Sequence, residues 1–120
     1  MSTIPTIEDL KNFTKNLIDN LRDEIISTAN KIWELAEVSL QEQKSSSILS
    51  SILKKEGFKV TRGAANLPTS FIAEWGSGKP IIGILAEYDA LPGLSPVKEG
   101  APGHGCGHNL LGTASVYAGI

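Results

Sequence analysis

The sequence predicts an α/β fold in which helices cover a β-sheet. Three observations support this prediction. Apolar residues recur at helical spacing in the first half, the period changes to that of strands from Phe58, and the run from Ile81 to Ala86 is apolar on both faces. A run of that kind is typical of a central strand with helices on either side. A length of 120 residues fits a single domain.

The first predicted helix begins near Thr6. Thr6 is followed three residues later by Asp9, which resembles a capping pair. Apolar residues then recur at spacings of three and four, namely Leu10, Phe13, Leu17, Leu21, Ile25, Ala29 and Ile32. We interpret this stripe as the packing face of a domain helix, because a single segment of this kind is more often that than a coiled-coil or partner-binding helix.

A second helix is predicted from Gln41 to Glu56, and Gly57 is placed to end it. Its inward residues are expected to be Ile48, Leu49, Ile52 and Leu53. Alternation then predicts two short strands, at Phe58–Thr61 and Ser70–Trp75, joined by a loop rich in turn formers.

The glycine-rich segment from Gly76 to Pro80 is interpreted as a tight turn. A phosphate-binding loop needs a longer glycine spacing, a hydroxyl residue after the lysine and a following helix. Here Pro80 follows Lys79 and a strand comes next, so backbone requirements explain the glycines and the proline.

Two carboxylates, Glu87 and Asp89, follow the predicted central strand. Side chains two residues apart share one side of an extended chain, and open α/β sheets bind ligands at the carboxyl ends of their strands. The alternative is that the two residues only cap the sheet and orient the loop. After this loop, Asn109 is expected to cap a last helix with apolar residues Leu110, Leu111, Ala114, Val116 and Tyr117.

The only cysteine and both histidines lie within five residues, in the order His104, Gly105, Cys106, Gly107, His108. Thiolate and imidazole are ligands of borderline-soft cations such as zinc. In an extended segment Cys106 and His108 point to one side, so both can converge on one ion. A buried structural cysteine between two surface histidines is the simpler alternative, but the segment has no apolar neighbour, and we favour a metal site.

Composition argues against several classes of function. The formal net charge is −2, aromatic residues make up 6% of the chain, and no basic run offers a face for nucleic acid. The longest apolar run is far shorter than the ~20 residues that span a bilayer, and the first residues do not resemble a secretory signal. A single cysteine cannot form an intrachain disulfide, so a cytoplasmic location is expected.

The last predicted helix stops with apolar residues still facing a core, and the soft donors are too few for a catalytic zinc site, which usually has three protein ligands. We therefore expect residues 1–120 to be the N-terminal part of a longer catalytic domain, whose remaining ligands and strands lie beyond Ile120.

Two strings of residues, at Ile84–Leu94 and Gly103–Gly112, resemble the aminoacylase and carboxypeptidase G-type family of metal-dependent amidohydrolases. They are most similar to its p-aminobenzoyl-glutamate hydrolase branch, and the similarity extends through the earlier helices and strands. The resemblance implies a three-layer α/β/α metallopeptidase catalytic domain, of which this chain is the N-terminal part. It also implies a lid domain elsewhere in the protein, which often carries dimer contacts.

The resemblance implies two divalent ions, zinc or manganese, and a small amide or dipeptide substrate. It assigns Cys106 as a metal-bridging thiolate, His108 as a metal ligand and Asp89 as a supporting residue of the catalytic site. The glutamate that acts as general base would lie beyond this chain, so residues 1–120 alone are expected to be inert. The full-length protein is expected to form homo-oligomers.

Many relatives have a histidine ligand at the position of Glu87 and several have aspartate at that of Asn109, so the roles of both residues stay open. His104 matches a histidine common in the branch and receives no ligand role. Two alternatives of other classes also stay open. Cys106 could be a nucleophile or redox thiol activated by a neighbouring histidine, or the chain could be a non-catalytic metal-binding or interaction module.

Overall fold

The computed structural model describes residues 4–120, and its elements agree with an α/β composition. The helices are α1 (Ile7–Leu35), α2 (Gln43–Lys55) and α3 (His108–Gly119), the strands are β1 (Lys59–Arg62) and β2 (Phe71–Glu74), and a short 3-10 turn covers Ala64–Asn66. The predicted ends of α2 and of both strands lie within two residues of those observed. No helix within residues 4–120 has the length and apolar character needed to cross a membrane.

Helix α1 begins with the predicted cap. The Thr6 hydroxyl accepts a hydrogen bond from the Asp9 backbone amide (3.1 Å), and the Asp9 carboxylate accepts one from the Thr6 amide (2.8 Å). The predicted packing stripe is confirmed only near the end of the helix, where Ala29 and Ile32 are buried. Leu10 and Phe13 are more than half exposed, so the prediction that the whole stripe packs on the core is wrong for the first turns.

The core lies where the end of α1 meets α2 and α3. Its buried residues are Ile32, Leu49, Leu53, Val116 and Tyr117, from the three helices. Helix α2 ends as predicted: Gly57 has a φ of 89°, its amide donates to Lys54 O, and the Phe58 amide donates to Leu53 O.

Glu37 links the end of α1 to the start of α2. Its carboxylate accepts hydrogen bonds from the backbone amides of Lys44 (3.0 Å) and Ser45 (2.8 Å), which α2 leaves without helical partners. Its own carbonyl oxygen accepts a hydrogen bond from the Ala90 amide (2.7 Å). Glu37 therefore connects the helices to the segment that carries Asp89.

Strands β1 and β2 form an antiparallel pair in which Lys59 faces Glu74 and Arg62 faces Phe71. The Arg62 guanidinium donates to the hydroxyls of Ser46 and Ser50, both at 2.8 Å, and these bonds attach the pair to α2.

The run from Ile81 to Ala86 differs from its prediction as the central strand of a mixed sheet. It pairs with no strand of residues 4–120, and Ile81, Ile82 and Leu85 are each more than 80% exposed. A strand that is apolar on both faces needs partners along its edges and cover on both sides, and the described residues supply neither. The sheet that they contain is the antiparallel pair of β1 and β2.

Candidate metal and catalytic site

The centre of the candidate site is His108, the first residue of α3, with a carboxylate on each ring nitrogen. His108 Nδ1 lies 2.9 Å from Asp89 Oδ1, and Nε2 lies 3.1 Å from Glu87 Oε2. The side chains of His108 and Asp89 are 22% and 23% exposed, whereas that of Glu87 is 66% exposed. The structure therefore brings Asp89 and His108 together at the end of the Ile81–Ala86 run.

The distances around His108 suit a metal ligand. A carboxylate on Nδ1 fixes the ring orientation and leaves Nε2 for a metal, an arrangement common among ligating histidines. Two donors that each lie ~2.1 Å from a zinc ion at an angle of about 95° are about 3.1 Å apart. The observed separation of His108 Nε2 and Glu87 Oε2 matches that value. Glu87, whose role the sequence left open, is thus placed to share an ion with His108.

Cys106 lies two residues before His108 and is exposed. Its thiol is accessible to a metal ion or to a reagent. Within residues 4–120, histidine, cysteine and carboxylate side chains form no group of three or more that could hold a metal ion. These residues thus offer the pair of donors at His108 and Glu87, with the Cys106 thiol nearby in sequence.

His104 has surroundings unlike those of His108. It is buried, and its Nε2 donates a hydrogen bond to the main-chain oxygen of Ile32 in α1 (3.0 Å). Its Nδ1 is buried without a hydrogen-bond partner among the described residues. Burial lowers the pKa of His104, and the hydrogen bond to Ile32 offsets only part of this effect. His104 is therefore a buried neutral residue, which the sequence did not reveal.

Asn109 is also buried and also contacts α1. Its Nδ2 donates to Ala29 O at 3.2 Å. The prediction that Asn109 caps the last helix is wrong, because α3 already includes His108 and its N-cap is Gly107, with a φ of 75°. No local sequence signal could have identified the Asn109 contact, since Ala29 lies 80 residues earlier.

The segment before Cys106 packs tightly against the preceding loop. Leu91 and Gly103 exchange two backbone hydrogen bonds, of 2.9 and 3.0 Å. A Cβ atom on Gly103 would lie 2.3 Å from Leu94 O, and one on Gly105 would lie 2.6 Å from Leu94 Cδ1. Glycine is thus required at both positions for close approach, and the loop that leads to Cys106 is held on two sides.

No family model matches the sequence, but several curated proteins are similar to it. The chain is 42% identical over 123 residues to a p-aminobenzoyl-glutamate hydrolase polypeptide of Escherichia coli (strain K12), covering 95% of the chain and 26% of that protein. It is 28% identical over 127 residues to the Xaa-Arg dipeptidase of Homo sapiens, covering 95% of the chain and 27% of the relative.

A third relative is thermostable carboxypeptidase 2 of Saccharolobus solfataricus, which is 34% identical over 119 residues and shares 88% of the chain and 30% of its own length. The chain therefore spans between a quarter and a third of the length of these relatives. All three are named as hydrolases or peptidases, and the similarity extends over nearly all of the chain.

Proposed function

Because the chain belongs to the aminoacylase and carboxypeptidase G-type family of amidohydrolases, we propose that the full-length protein is a metal-dependent hydrolase of amide bonds. Its substrates would be aminobenzoyl-glutamate-like compounds, N-acyl amino acids or small dipeptides. The names of the relatives support an amide or peptide substrate. The observation that carries the proposal is the orientation of His108 by Asp89, with Nε2 facing the carboxylate of Glu87.

The residues that would hold the metal are His108 and Cys106, and Glu87 lies at the distance of a further donor. Asp89 would act through His108, because its carboxylate accepts the Nδ1 proton and directs the Nε2 lone pair outward. A bound pair of zinc or manganese ions would polarise the amide carbonyl and acidify a water molecule. The thiolate favours zinc, whereas the carboxylates also suit manganese.

The remaining parts of the mechanism are proposed on the family resemblance. They are a glutamate general base and further ligands outside residues 1–120, a lid domain, and assembly into homo-oligomers. Residues 1–120 would then be the N-terminal part of the catalytic domain. A cytoplasmic location is also part of the proposal, supported by the single cysteine.

The test is hydrolysis by the full-length protein after treatment with a chelator. We expect cleavage of p-aminobenzoyl-glutamate, an N-acyl amino acid or a dipeptide to be lost with the metal and restored by zinc or manganese. His108→Ala and Cys106→Ser should abolish this restoration, whereas Asp19→Asn on the exposed face of α1 should not. Full activity in the chelated protein, or in the His108→Ala variant, would contradict the proposal.

The exposure of Cys106 favours one competing function, that of a reactive thiol. However, both ring nitrogens of His108 face carboxylates, so neither is directed to activate the sulfur. Alkylation separates the two functions. A metal-held thiolate should be protected until a chelator removes the ion, whereas a nucleophilic thiol should react equally fast with or without chelator.

A further inference from the structure

Two buried side chains on either side of the candidate ligands are bonded to the same helix. His104 lies two residues before Cys106, and Asn109 lies one residue after His108. Both donate a side-chain hydrogen bond to a main-chain carbonyl of α1, His104 to Ile32 and Asn109 to Ala29. The two acceptors are three residues apart, which places them about one helical turn apart.

These bonds fix the segment 104–109 at both ends. Ile32 is fully buried in the core and Ala29 is 5% exposed, so the acceptors belong to the most enclosed part of α1. Gly103 and Gly105 press the start of the segment against Leu94, which leaves the backbone little room to move. The Gly107 amide also donates to His104 O (3.1 Å), so the turn that carries Cys106 closes on the anchored histidine.

We propose that His104 and Asn109 are positioning residues, which hold Cys106 and His108 in place for a divalent ion by bonding to the carbonyls of Ile32 and Ala29. This inference rests on the proposed function. Neither residue contacts the ion, and both act through the backbone of residues 105–108. The last turns of α1 thereby become part of the support of the site.

The geometry also says which substitutions should be tolerated. The amide nitrogen of glutamine occupies nearly the place of His104 Nε2, so His104→Gln keeps the donor, whereas His104→Leu keeps the bulk and removes it. Asn109→Asp keeps the shape of the side chain but directs a carboxylate oxygen at Ala29 O. The effect should therefore follow the hydrogen bond and not the size of the side chain.

The experiment uses the full-length protein and two measurements. The first is amide hydrogen exchange at residue 107 without metal. The second is titration with cobalt(II), whose thiolate charge-transfer band reports a bond to Cys106. Tyr117→Phe is the matched control, because it removes the hydroxyl that bonds to Glu24, another contact between α3 and α1, away from the loop. Circular dichroism verifies that each variant is folded.

We expect His104→Leu and Asn109→Asp to accelerate exchange at Gly107 and to weaken cobalt binding about tenfold or more, the usual range for residues that orient metal ligands. His104→Gln and Tyr117→Phe should behave like the unchanged protein. Unchanged exchange in both His104→Leu and Asn109→Asp would overturn the inference whatever the metal does. If the unchanged protein shows no cobalt–thiolate band, the proposed function fails, and the exchange rates still decide whether the two residues anchor the loop.

Discussion

At the scale of single residues, the two histidines show how one residue type takes two roles within five positions. His108 is partly exposed and has a carboxylate on each ring nitrogen, whereas His104 is buried against α1 with one nitrogen unpartnered among the described residues. A charged or metal-bound imidazole needs anionic or solvent neighbours, and a buried one is kept neutral. Environment, which spacing alone does not reveal, therefore separates the candidate ligand from its neighbour.

Asp89 provides the first test at this scale. Asp89→Asn should weaken binding of zinc or manganese to the full-length protein by about 10-fold to 100-fold, because the amide no longer raises the basicity of His108. Isothermal titration measures the affinity, and Asp19→Asn, far along α1, is the matched control. An affinity unchanged from that of the control would mean that Asp89 has no part in the site.

At the scale of elements, the N-terminus of α2 depends on a residue outside the helix. The side chain of its N-cap residue, Glu42, makes no capping bond and instead accepts a hydrogen bond from the Thr69 hydroxyl (2.6 Å). Glu37 takes over the role of the cap, with a negative charge at the positive end of the helix dipole. Burial raises the pKa of Glu37, but the hydrogen bonds from Lys44 and Ser45 outweigh it, so the pKa is lowered overall.

Glu37→Gln should therefore destabilise the protein in a pH-dependent way. The folded-state pKa of Glu37 lies below that of the unfolded chain, so its contribution is present at neutral pH and is lost as the pH falls through the folded-state value. At pH 7 we expect a loss of about 1 kcal/mol in the free energy of unfolding, as for other N-caps.

Urea denaturation at neutral and acidic pH measures this effect, and Glu99→Gln in an exposed loop is the control. The difference between the Glu37→Gln variant and the unchanged protein should shrink toward acid. A difference that stays constant across the range, or that grows toward acid, would exclude the assigned role of the carboxylate.

Gly57 provides a test of the other end of α2. Its φ of 89° is accessible to glycine and strained for other residues, although a Cβ would meet no atom within 4 Å. Gly57→Ala should therefore cost about 1 kcal/mol through backbone strain alone. Gly83→Ala, equally free of contacts but not at positive φ, should change the midpoint of thermal unfolding little. Equal effects of the two substitutions would contradict the strain argument.

The elements also show what a sequence can predict. The cap at Thr6 and the end of α2 at Gly57 were predictable, because each depends on residues within a few positions. The juxtaposition of Asp89 and His108 stays within a short span of chain, and the expected ligand loop led to it. The anchors of His104 and Asn109 were not predictable, because their acceptors lie 72 and 80 residues earlier. The Ile81–Ala86 strand depends on partners that the described residues do not contain.

At the scale of the whole molecule, the structure is uneven in how well it covers its apolar surface. The meeting point of α1, α2 and α3 is fully enclosed, with Ile32 and Leu49 inaccessible to solvent. The first turns of α1 and the run from Ile81 to Ala86 expose large apolar side chains, and contiguous exposed apolar surface in a protein usually marks a contact site. The candidate site lies directly after this exposed run.

This arrangement bears on the activity of residues 1–120 in isolation. His108 and Glu87 supply two donors at the distance expected for one ion, whereas a catalytic zinc site usually has three protein ligands and a water molecule. No group of three or more metal-binding side chains forms within residues 4–120, and the relatives named for hydrolase or peptidase activity are three to four times longer. We therefore predict that residues 1–120 alone do not hydrolyse their substrates even with added metal.

The prediction is checked by assaying residues 1–120 and the full-length protein side by side on p-aminobenzoyl-glutamate, an N-acyl amino acid and a dipeptide, with zinc or manganese. The full-length protein should be active, and the shorter chain should match the metal-only blank. Circular dichroism and the cobalt–thiolate band show whether the shorter chain is folded and binds metal. Metal-stimulated hydrolysis above the blank would mean that Glu87, Asp89, Cys106 and His108 suffice for catalysis, and that further ligands and a general base from outside residues 1–120 are not needed.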